Sequence, residues 1–124
     1  MSKAIEQHGD HVELVAIKGE QLSAVTFVQD YVQLSFDGPT LTCITRPVVV
    51  AADKRFDFGA LGYRDQLCEL IGHRVLAGTV VPGERLKLDF THGCSLLVSL
   101  KADAYRAAEA VLFSDGATEQ WASW

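Results

Sequence analysis

The sequence predicts an α+β domain of mostly antiparallel β, with a duplicated three-stranded meander forming a barrel-like or sandwich core beside one or two short helices. Three observations carry this expectation. First, Gly19 to Thr42 is repeated in Gly72 to Val98: Gly19-x-x-Leu22 matches Gly72-x-x-Val75, Val32-x-Leu34-x-Phe36 matches Leu86-x-Leu88-x-Phe90, and Leu41 answers Leu96. Second, apolar and polar residues alternate in both copies. Side chains two apart share a strand face, so Val32, Leu34 and Phe36 point one way as a set, as do Leu86, Leu88 and Phe90. Third, Asp37-Gly38, Pro82-Gly83 and His92-Gly93 supply tight turns between the runs. Asparagine is absent, so glycine takes most positions that need a positive φ.

Taken in order, the elements fill the chain as a single domain over residues 1–124, with the repeat at about 10–45 and 63–100. Residues 10–18 carry two signals, an Asp10/Glu13 capping pattern and the strand-like pair Val12 and Leu14, so helix and strand both stay open; the repeat favours a turn or short helix. Arg46 to Ala52 is an extended segment entered through Pro47, which suits a strand start or a sheet edge. Phe56 to Gly62 is expected to be the longest loop. Tyr63, Leu67, Leu70 and Ile71 form a helical stripe ending at Gly72, which predicts a short helix over 64–71. The alanine-rich run 104–110 suits one or two helical turns, and Val111 to Trp124 reads as a closing hairpin around Asp115-Gly116.

Composition narrows the function classes. A chain of 124 residues with 48% apolar content builds one core. No apolar run is long enough to span a membrane as a helix and no apolar signal segment leads the chain, so a cytoplasmic location is expected. Cys43, Cys68 and Cys94 are odd in number and evenly spread, which suits reduced, buried thiols. The net charge of −5 opposes nucleic-acid binding and favours a basic partner, and the basic residues are scattered singly apart from Lys54-Arg55.

Leu67-Cys68-Glu69-Leu70-Ile71-Gly72-His73-Arg74-Val75, the Leu86-x-Leu88-x-Phe90-x-x-Gly93-x-x-Leu96 run, Glu109-Ala110-Val111 and terminal Trp124 together resemble a family of small uncharacterised bacterial proteins, a domain of unknown function. The match lies mainly over residues 67–124. This resemblance implies a bacterial source and carries no catalytic residue. The helix followed by Leu-Ile-Gly and a bent meander is also similar, at the level of fold alone, to Sm-like barrels.

Reactive groups are few. His8, Asp10 and His11 are the one cluster of potential metal ligands, with an exposed polar leader as the plain alternative. Asp89 and His92 flank a turn where a carboxylate can orient an imidazole, with Cys94 as a notional nucleophile, yet strand alternation turns Asp89 away from Phe90. Glu109 is a lone acid, and Asp65 with Glu69 are like charges on one helix face. Gly59 to Gly62 lacks the residues of a phosphate loop, so no cofactor is expected. Most aromatics suit core positions. Trp121 and Trp124, three apart, cannot share a strand face, which marks them as interface candidates. These features point to a non-enzymatic interaction protein, a homodimer or the neutraliser of a basic partner; a small-molecule binder or enzyme using a barrel-mouth pocket with His92, Asp89 and Glu109 is the alternative.

Overall fold

The computed structural model describes residues 4–104, 109–116 and 121–124. Its strands are β1 (Glu6–His8), β2 (His11–Glu13), β3 (Ala24–Val28), β4 (Tyr31–Ser35), β5 (Thr40–Cys43), β6 (Val48–Ala51) and β7 (Lys54–Phe56), then β8 (Val75–Val81), β9 (Arg85–Phe90), β10 (Ser95–Ser99), β11 (Val111–Ser114) and β12 (Trp121–Ser123). Among the described residues a single helix, α1 (Tyr63–Glu69), lies between β7 and β8, and 3₁₀ turns occupy Val15–Ile17 and Ala102–Ala104. Every ladder is antiparallel. The strands form a seven-stranded sheet, β1-β2-β8-β9-β10-β6-β7, and a five-stranded one, β12-β11-β5-β4-β3.

Both predicted meanders are present, β3-β4-β5 in one sheet and β8-β9-β10 in the other. The hairpin after each meander crosses to the other sheet. The β6–β7 hairpin pairs with β10 of the second meander, and the β11–β12 hairpin pairs with β5 of the first. Where the halves meet, Gly19 N–H donates to the Val75 carbonyl and Gly72 N–H to the Leu22 carbonyl, both at 2.8 Å. Leu22 N–H to His73 and Val75 N–H to Glu20, both at 3.0 Å, form a second reciprocal pair around the Gln21–Arg74 bridge. Even the side chains obey the same exchange: Gln21 Nε2 donates to Gly72 and Arg74 Nη1 to Gly19. Swapping the halves maps this junction onto itself. Gly19 and Gly72, at φ +82° and +93°, both stand where a helical turn must reverse into the bridge.

Several expectations need correcting. Among the described residues the sheets share no ladder beyond the isolated bridge, so they are not closed into a barrel. β6 is an interior strand between β10 and β7 rather than an edge, and Pro47 precedes it, outside the ladder. Residues 10–18 hold both elements in sequence, β2 and then the 3₁₀ turn, because Val12, Leu14 and Ile17 all have to be buried. Phe56 belongs to β7, so the loop is 57–62, and the helix begins at Tyr63. A 3₁₀ turn at Ala102–Ala104 ends where the alanine-rich run begins, Glu109 and Ala110 are not helical, and residues 105–108 of that expectation lie outside the described residues. Ala52-Asp53, at φ +50° and +65°, closes the β6–β7 hairpin without glycine; positive φ at both positions matches the twist of the flanking strands.

Core packing joins the two sheets. Val32, Leu34 and Phe36 from one repeat and Leu86, Leu88 and Phe90 from the other are all buried in one apolar cluster. Gly78 of β8 is where the first 3₁₀ turn presses on the sheet: a Cβ there would lie 3.0 Å from Leu88 Cδ2 and 3.2 Å from Leu14 Cβ. Helix α1 buries Tyr63 and Leu67, and the Tyr63 hydroxyl donates to the Pro47 carbonyl at 2.5 Å. Burial holds that phenol well above its ordinary pKa, so it stays a donor and ties the helix to the entry of β6.

Candidate interaction face and histidine cleft

Phe27 pairs with Val32 across the β3–β4 ladder and therefore shares its inward face. Their fates differ, with Val32 3% exposed and Phe27 40%. The cause is position: β3 is the edge of its sheet, and no further strand continues the cover. Across from it the loop after β7 presents Phe58, 56% exposed, and Leu61, 99% exposed. The groove between Phe27 and Phe58 has a volume of about 360 Å³, and Val28, Gln29, Val32, Arg46, Tyr63 and Arg64 complete its lining. Among the described residues no carboxylate lines it. A neighbouring hollow of about 370 Å³ runs along the loop past Leu61 to Asp65.

Arg46 is held in place. Arg46 Nη2 donates to the Gln29 carbonyl at 2.8 Å, and its guanidinium lies 3.9 Å from the centre of the Phe58 ring. Phe58 in turn meets Tyr63 edge-on, with centroids 5.9 Å apart. The guanidinium of Arg64 lies 5.9 Å from the Phe27 ring. Arg46 also lines a second groove, of about 350 Å³, with Arg55, Arg85 and Lys101, where Glu84 is the one lining acid. Asp57 takes part of the Arg55 charge at 3.0 Å. Five of the chain's eleven basic side chains thus surround two grooves that meet at Arg46. In sequence these basic residues are scattered and Phe27 falls among the aromatics that suit core positions; the sequence signal for the face was Leu61 between the glycines of a loop.

The second site is a cleft of about 430 Å³ between the end of α1, the β6–β7 turn and the β9–β10 turn. His73 and His92 stack in it with ring centres 3.6 Å apart and planes at 12°. Thr91 N–H donates to the Arg74 carbonyl at 2.9 Å, which brings the two turns together. Glu69 and Cys94 line the same cleft as His92. Asp89 does not join them. It accepts from Ser95 Oγ at 2.9 Å and lies 3.5 Å from Lys87 Nζ, on the face that strand alternation assigns it. Desolvation, then Glu69, raises the Cys94 pKa, which keeps the thiol protonated and a poor nucleophile. Of the three thiols expected to be buried only Cys43 is fully so, which pushes its pKa up to about 12, while Cys94 is half-buried and Cys68, on the outer face of α1, is exposed.

The remaining sequence candidates lie elsewhere. His8 Nε2 sits 3.1 Å from Glu6 and 3.4 Å from Glu13, while His11 Nδ1 faces Asp10 at 3.3 Å, so these groups engage one another on the β1–β2 hairpin. Among the described residues no group of three or more His, Cys, Asp or Glu side chains has the geometry to hold a metal. Glu109 is half-buried and lines neither site. Trp124 is half-buried against the core, its backbone paired with Val111; the side chain of Trp121 lies outside what the structure describes.

Desolvation first, then the charge of His73, lowers the pKa of His92, with Glu69 opposing. Because the folded value is depressed, the unfolded chain binds more protons just below the ordinary histidine pKa of about 6.5. Stability is therefore expected to fall as pH drops through that window, and His92→Gln to flatten the fall. Urea midpoints of both proteins from roughly pH 7.5 to roughly pH 5.5 check this; parallel curves would refute it.

No family model, no curated protein and no solved structure matches the chain, so functional inference rests on the geometry of these two sites.

Proposed function

We propose that this is a non-enzymatic interaction protein of the bacterial cytosol, which docks a protein partner on the face formed by Phe27, Phe58 and Leu61. One observation carries the proposal: an inward-pointing phenylalanine on a sheet edge is left uncovered beside two more exposed apolar side chains. Covering such a surface returns about 25 cal/mol per Å² of apolar area removed from water. Its composition, Phe and Tyr interleaved with arginine, matches the residues enriched at the centres of protein interfaces. An open β3 edge offers a partner backbone hydrogen bonds as well.

A photo-reactive phenylalanine analogue placed at Leu61 in the native host tests the reading, with exposed Lys18, which lines neither groove, as the control site. A discrete protein adduct is expected from position 61 and none from position 18. An adduct of twice the chain's mass would make the partner a second copy. Absence of any adduct at 61, with monomeric sedimentation, would reject the proposal.

A second reading is favoured by the convergence of His73, His92, Glu69 and Cys94 in one cleft: a small-molecule site. It requires a ligand whose thermal stabilisation of the protein disappears in His92→Ala.

A further inference from the structure

We infer that the occupant of the Phe27–Phe58 groove is an acidic segment of a partner protein, anchored by one large apolar side chain. This inference rests on the interaction reading and names the chemistry of the partner. Net charge alone would select a basic partner, yet charge on this protein is unevenly placed: among the described residues the groove holds Arg46 and Arg64 and no carboxylate. Neither arginine has an acidic group within 4.0 Å among the described residues. Arg46 is oriented before any partner arrives, by the Gln29 carbonyl and the Phe58 ring, and one bond to a carbonyl leaves most of its donors free. A planar, pre-oriented guanidinium matches a carboxylate in two parallel hydrogen bonds. Between the arginines the volume of about 360 Å³ takes an apolar side chain against Phe27, Val32 and Tyr63.

Other occupants fit less well. A second copy docked through the same face would bring Arg46 and Arg64 of both copies together with no acid in the groove to compensate. A nucleic acid would find arginines here, but the chain as a whole repels phosphate with its net charge of −5 and offers no depth of cations to release counterions. Beyond Arg46 the second groove, with Arg55, Arg85 and Lys101, extends the same electrostatic preference along an acidic chain.

The test uses three fluorescein-labelled probes on the full chain: a peptide alternating Glu and Leu, its Lys and Leu counterpart, and an oligouridylate. Fluorescence anisotropy is expected to show saturable binding of the Glu/Leu peptide alone, weakening as salt rises. Arg64→Glu, on an exposed side chain, and Arg46→Glu are each expected to weaken it about tenfold, with circular dichroism confirming that the variants fold. Equal or tighter binding of the Lys/Leu peptide or of the oligouridylate overturns the inference, as do unchanged affinity in both variants and absence of Glu/Leu binding. Mass spectrometry of the segment cross-linked from position 61 separates the two proposals. An acidic segment supports both, a basic one retains the interaction reading and rejects this chemistry, and no adduct rejects both.

Discussion

Phe36→Ala is expected to lose about 3–5 kcal/mol of folding stability, a large share of the roughly 5–15 kcal/mol available to a domain of this size. Phe36 is fully buried, with no solvent exposure, at the end of the first repeat's inward stripe, and Phe90 holds the equivalent place in the second at 1%. Removing either ring forfeits its transfer from water and leaves a cavity between two sheets that share one core. Neither sheet can collapse into the space without shifting a ladder. In urea the midpoint should fall by about 2 M for a typical dependence on denaturant. Phe27→Ala is the matched control, the same chemical change at a site 40% exposed, and should cost far less. Equal losses at Phe36 and Phe27 would contradict the common core and leave Phe27 as part of it.

Gly116→Ala is expected to cost about 3 kcal/mol, from two sources that a control separates. Gly116 has φ +74°, where an alanine side chain costs about 1–2 kcal/mol. Its Cβ would also overlap the Gly38 carbonyl, backbone that cannot rotate aside. The turn after β4 and the turn after β11 touch here, so relief means separating the two halves of the five-stranded sheet's end. Gly83→Ala carries a similar φ of +79° with nothing within 4 Å, and should show the conformational cost alone. Thermal unfolding of the two variants gives the comparison. A Gly116→Ala loss no greater than that of Gly83→Ala would refute the contact between the turns.

Much of the local structure was legible in the chain. The Leu86, Leu88, Phe90 alternation identified β9 because a strand's period of two is written directly in its side chains. Tyr63, Leu67 and Leu70 did the same for the helix at its longer period. Asp37-Gly38 and His92-Gly93 marked real turns because positive φ selects residues without steric cost. Ala52-Asp53 escaped for the complementary reason: alanine carries no signal for a left-handed turn, and its φ is imposed by the two strands it joins. The candidate sites were less legible. His92 and Cys94 are near neighbours in sequence and could be paired by inspection, whereas His73 stacks on His92 across nineteen positions and Arg46 meets Arg64 across a groove.

From the sequence alone came β4 and β9 with their inward faces, the helix and several of the turns, all properties of residues close in the chain. Tertiary structure decided the rest: that each hairpin joins the other half's meander, that β3 rather than β6 is left at an edge, and that Phe27 is consequently bared beside two arginines in a groove without a carboxylate. The physical reason is that backbone hydrogen bonds between strands are blind to side-chain identity. Which strand pairs with which is settled by how the buried stripes of both sheets fill one interior, a condition that belongs to the whole chain.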